Sequence, residues 1–110
     1  MARFALERLE GELSIREAPD VAARLRDKLD VGPLAVETDR LSSIDAAGLQ
    51  VLVAAHATAR ARGVSLRVEA RKDGVLARAL ARSGVAAASD LPLAWDGDAW
   101  IGFAAEETFP

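Results

Sequence analysis

The chain has 110 residues, a formal charge of −3 and no cysteine, and 51 % of it is apolar with only 5 % aromatic. That length suits one domain with a core of Ala, Leu and Val. The mild negative charge without a basic block argues against nucleic acid or an anionic membrane as partner, and the lack of cysteine excludes disulfides, thiol catalysis and thiolate metal sites.

A chain free of cysteine fits a cytosolic location. Met1-Ala2-Arg3-Phe4 does not open a long apolar stretch, so no signal peptide is expected. No window of about 18 apolar, uncharged residues is present to span a membrane.

Phe4, Leu6 and Leu9 alternate imperfectly with charged residues and predict a first strand. Gly11 marks a bend or bulge, and Leu13 and Ile15 continue the apolar pattern. Pro19 fits the first turn of a helix capped near Glu17 or Ala18. Val21, Ala22, Leu25 and Leu29 form its apolar stripe, with Arg24, Arg26, Asp27 and Lys28 on the wet face, and Gly32-Pro33 ends it.

The stretch from Leu34 to Gly63 organises the rest. Leu34 to Thr38 predicts a buried strand, and Asp39 to Ser43 reads as polar turn material. Asp45 stands where a helix N-cap belongs. Leu49, Leu52, Val53, His56, Ala57 and Arg60 recur at helical spacing and predict the core-facing side. Gly63 stops the helix, with Arg60 and Arg62 in its last turn, where cations suit the helix dipole. Ala46-Ala47-Gly48 leaves the opening turn almost bare, and unsatisfied N–H groups gather at such an end. Either another molecule approaches it closely, or it packs against its own loop.

Val64 to Ala70 alternates cleanly and predicts a strand that is wet on one face or near an edge. Asp73 serves as N-cap for a third helix, Gly74 to Arg82, with Val75, Leu76, Ala79 and Leu80 inward and Ser83-Gly84-Val85 closing it. Ala86 to Ser89 reads as loop. Asp96-Gly97-Asp98 between Leu93-Ala94-Trp95 and Ala99 to Phe103 is a hairpin signal. The acidic tail from Glu106 to Pro110 is expected to be loose. This order predicts one α/β domain with a mixed sheet of four to six strands. About three helices pack mainly on one side, the unit from Leu34 to Ala70 is parallel, and the first and last hairpin-like segments are antiparallel.

The residues offer little chemistry. His56 lies mid-helix with no nucleophile or carboxylate supplied nearby in sequence, which favours a packing role. Asp96 and Asp98 resemble a metal pair, yet hard cations want more oxygen ligands, and Gly97 explains both as turn residues. Ser42 and Ser43 have no base at hand. Gly11, Gly32 and Gly63 form no phosphate cradle. Trp95 and Trp100 read as a small satellite core across the hairpin, or else as an aromatic contact for a partner.

Leu41-Ser42-Ser43-Ile44-Asp45-Ala46-Ala47-Gly48-Leu49 resembles the STAS domain, named for sulphate transporters and anti-sigma-factor antagonists. Leu9-Glu10-Gly11-Glu12-Leu13 and Asp73-Gly74 through Ser83-Gly84-Val85 are similar to two further family segments. The likeness runs from Phe4 to Val85, within one STAS-like domain over 1–110. Residues 86–110 diverge as a C-terminal hairpin and tail, and the family's first strand is expected to be missing. The resemblance implies a non-enzymatic bacterial switch or scaffold without cofactor or metal. It implies a docking face at Ser42, Ser43, Asp45, Ala46, Ala47, Gly48 and Gln50. In the regulatory branch a histidine-kinase-like anti-sigma factor phosphorylates the residue after the motif aspartate. Here that position is Ala46, which has no hydroxyl. The implied partner is such an anti-sigma factor, or a chemotaxis or two-component signalling protein. Two alternatives stand beside it: the small cytosolic STAS subunit of a lipid-transport ABC system, whose partner is an ATPase, and a nucleotide or small-ligand module.

Overall fold

A computed structural model describes residues 3–83 and 93–103. The elements are β1 (Ala5–Leu13), α1 (Ala18–Val31), β2 (Leu34–Ile44), α2 (Ala46–Arg62), β3 (Leu66–Glu69), α3 (Val75–Ser83), β4 (Leu93–Asp96) and β5 (Ala99–Phe103). They build one five-stranded mixed sheet in the order β1-β2-β3-β5-β4. β1, β2 and β3 run parallel, and β5 and β4 are antiparallel additions. α1 packs on α2 and α2 on α3, so the helices form a continuous layer.

Period-two alternation sorts the strands into two faces. Leu34, Val36, Leu66 and Val68 are buried beneath the helices with Leu9. Leu25 and Leu29 of α1, Leu49 and Leu52 of α2, and Leu76 and Leu80 of α3 meet them in one core. Burying each such side chain is worth about 1.5–3 kcal/mol. The opposite sheet face carries the ion pairs Arg8–Glu37 and Arg67–Asp96. Glu7 faces the helices and is buried, satisfied by Lys28 Nζ at 2.7 Å and Arg24 at 3.6 Å.

Several expectations change. The first segment is one strand paired parallel to β2, not a hairpin with an antiparallel neighbour, because α1 supplies the crossover that a parallel pair needs. Leu6 lies on the outer face, away from Leu9, and Ile15 lies beyond the strand end. Gly11 does bend the strand: its φ is 74° and the register shifts on either side of it. Asp39 to Ser43 is strand and not turn. It runs past the end of β3 and pairs with β1 alone, so its polar side chains find water while Leu41 stays buried.

β3 is the middle strand of the sheet and not near an edge, although Arg67 and Glu69 keep one face partly wet. On α2, Ala57 and Arg60 are exposed, and Val51, Ala55 and Ala59 take their place in the core. Alanine on every side blurs the stripe there. In α3 the Gly74 carbonyl accepts from Arg78 N–H, which moves the cap one residue past Asp73. Trp100 belongs to the main core, with its ring edge-on to His56 at 4.4 Å and to Phe103 at 5.9 Å, while Trp95 is half-exposed. The expectations for Gly84 to Ser89 and for Glu106 to Pro110 fall outside the described residues.

Candidate functional site

β1, β2 and α2 meet at one end of the sheet. Asp45 leaves β2 in extended conformation and caps α2, its Oδ1 accepting from Gly48 N–H at 2.8 Å. Its Oδ2 accepts from Ile15 N–H at 3.0 Å, and its own N–H donates to the Leu13 carbonyl at 3.1 Å. One carboxylate therefore ties the helix start to the loop after β1. The two anchored segments are fixed relative to each other, as a preorganised binding surface requires.

That loop is itself held. Glu17 Oε1 accepts from the Ser14 hydroxyl at 2.5 Å and from Ser14 N–H at 3.2 Å. These donors hold the Glu17 carboxyl below the usual carboxylate range. The result presents Ile15 to solvent, 71 % exposed. Sequence reading placed Ile15 in a strand and gave Ser14 no role. The Ser14-x-x-Glu17 spacing is a capping-box signal that marks this loop before α1.

The expected docking residues divide. Ser42, Ser43, Asp45, Ala46 and Gln50 are exposed, and Ala47 is half-buried. Gly48 is buried instead. A Cβ at Gly48 would lie 2.3 Å from the Leu13 carbonyl oxygen, so glycine there permits helix-to-strand contact and offers no surface. The bare helix start thus divides residue by residue: Gly48 packs inward, and Ala46 faces out.

Nucleophilic chemistry has no support at this end. His56 is eleven residues beyond Asp45 on α2, about 16 Å along its axis. The exposed serines therefore have no imidazole within reach. Burial pushes the His56 pKa down to about 4, which leaves the ring neutral.

The chain belongs to the STAS domain family: the family model described as "Mlab, STAS domain" matches residues 6–92. Solved structures share the fold. The anti-sigma factor antagonist SpoIIAA in its unphosphorylated form aligns with a TM-score of 0.56 and 15 % identity over 72 % of each chain. A putative anti-sigma factor antagonist from Thermotoga maritima aligns with a TM-score of 0.61 and 20 % identity over 76 % of each chain. A structure titled Mglu aligns with a TM-score of 0.55 and 22 % identity over 62 % of this chain, but only 17 % of that one. No curated protein matches the sequence.

Proposed function

We propose that this protein is a bacterial, cytoplasmic, non-enzymatic regulator that docks a signalling partner on the surface formed by Ser42, Ser43, Asp45, Ala46, Ala47 and Gln50. Docking is not gated by phosphorylation at the position after the motif aspartate. The partner is a histidine-kinase-like anti-sigma factor or a related chemotaxis or two-component protein. Residues 1–110 act as one STAS-like unit, with 86–110 as its divergent end.

One observation carries this reading. Ala46 is exposed at the first position of α2, beside the Asp45 cap, and has no hydroxyl. A phosphate at a helix N-terminus is well accommodated electrostatically, yet it places a charge of about −2 on any docking face there. Alanine leaves that position permanently small and uncharged, with Asp45 the one charge on the face.

The test combines the protein with a purified histidine-kinase-like anti-sigma factor and ATP. Complex formation with an unchanged intact mass supports the proposal. Phosphate on Ser42 or Ser43 overturns the ungated version.

The Mlab description of the matching family model favours a second reading, the small STAS subunit of a lipid-transport ABC system. Stoichiometric co-purification with an ATP-binding cassette protein, and none with a histidine-kinase-like protein, selects it.

A further inference from the structure

None of the residues assigned above to the docking face is both large and apolar. Ser42, Ser43, Ala46, Ala47 and Gln50 carry small or polar side chains. Both Asp45 oxygens are already engaged within the chain, by Gly48 N–H and Ile15 N–H. Protein interfaces draw most of their affinity from a few large side chains seated in pockets on the partner. We propose that Ile15 is that side chain, and that the signalling partner receives it in an apolar pocket. The inference rests on the docking reading above and adds to it the chemistry of the partner's surface.

Ile15 stands in the turn between β1 and α1. The Ser14 carbonyl closes this turn, accepting from Glu17 N–H at 3.0 Å and from Ala18 N–H at 2.9 Å. Arg16 N–H donates to Ser14 Oγ at 3.3 Å, and Ser14 N–H donates to Glu17 Oε1. With the bond from Ile15 N–H to Asp45 Oδ2, every backbone N–H from Ser14 to Ala18 has a partner. The turn is therefore set before binding. It sends Leu13 into the core and Ile15 out of it. A β-branched side chain is stiff at χ1, so ordering it on a partner costs little entropy.

An exposed apolar residue alone calls for no explanation. Ile15 is distinguished by its place: its N–H is bonded to the cap of α2, and that cap is followed directly by Ala46. Val31 is more exposed still, but it ends α1, about 20 Å along that helix from the turn. It serves as the control.

A purified histidine-kinase-like anti-sigma factor is titrated by calorimetry with the parent, Ile15→Ala, Ile15→Leu, Val31→Ala and Ala46→Glu. Urea unfolding of each protein is recorded alongside. Ile15→Ala keeps its backbone N–H, so the bond to Asp45 and the stability are retained. The proposal expects Ile15→Ala to bind about tenfold more weakly or worse. Its heat-capacity change of binding becomes less negative, because less apolar surface is buried. Ile15→Leu stays within about threefold of the parent, and Val31→Ala binds as the parent does. Parent-like binding by Ile15→Ala, with Ala46→Glu weakened, overturns the anchor and leaves the docking face standing. An affinity loss in Ile15→Ala matched by a loss of unfolding free energy also overturns it, since the residue is then structural. If the parent forms no complex, or neither Ile15→Ala nor Ala46→Glu changes affinity, the docking reading itself fails and the anchor with it.

Discussion

Asp45→Ala removes two hydrogen bonds that no neighbouring group replaces. The Oδ1 bond to Gly48 N–H is a helix cap, whose loss costs about 1–2 kcal/mol. The Oδ2 bond to Ile15 N–H is exposed and adds about 0.5–1 kcal/mol. The expected loss is about 2 kcal/mol, a large share of the stability of so small a domain. Asp45→Asn separates the two effects. Its single carbonyl oxygen still caps Gly48, but its amide presents a donor to the Ile15 donor. It should lose about half as much. Urea unfolding of the three proteins, followed by far-UV circular dichroism, gives the free energies directly. A stability of Asp45→Ala equal to the parent, or of Asp45→Asn equal to Asp45→Ala, refutes the two-armed strut.

Three further outcomes follow from the same geometry. Gly48→Ala should destabilise by about 1–3 kcal/mol despite alanine's better helix propensity, because its Cβ would meet a backbone oxygen at 2.3 Å; chemical denaturation measures this. His56 has a folded-state pKa near 4 against 6.5 for the free side chain, so between those values the unfolded chain binds the extra proton. Its contribution is fully present above pH 6.5 and falls away as pH drops towards 4, by about 3 kcal/mol at most, and His56→Gln should flatten that part of a stability–pH curve. Trp100→Phe should cost about 1–3 kcal/mol in urea titrations, since it removes packed ring volume and leaves the Gly102 carbonyl without the Nε1 donor at 2.7 Å.

Local signals with a single physical meaning were legible in the sequence. Asp45 as cap, Gly63 in the left-handed region at φ 68°, and Gly97 in the hairpin turn at φ 63° each stand where the residue type demands, although the turn is Gly97-Asp98 and Asp96 ends β4. The apolar stripe of α1 was equally plain, because Val21, Leu25 and Leu29 contrast with charged neighbours. On α2 alanines surround the helix, so the buried side could not be separated from the exposed one by pattern alone. The polar end of β2 read as a loop because Leu41 is the one buried apolar residue between Asp39 and Ser43, too little alternation to reveal a strand that pairs with β1 alone. At the candidate site, Asp45 and Ala46 were visible as a motif. Ile15 was not, because it reaches them through a hydrogen bond spanning thirty residues of chain.

The proposed docking face rests on Ala46, and one substitution there tests it most directly. Ala46→Glu adds bulk and charge to an exposed first-turn position, where a carboxylate favours the helix dipole, so the fold should be as stable as before. Affinity of the parent and of Ala46→Glu for the purified anti-sigma factor partner is measured by titration calorimetry. The account predicts a loss of at least about tenfold with unfolding free energy unchanged. Equal affinity of the two proteins contradicts it.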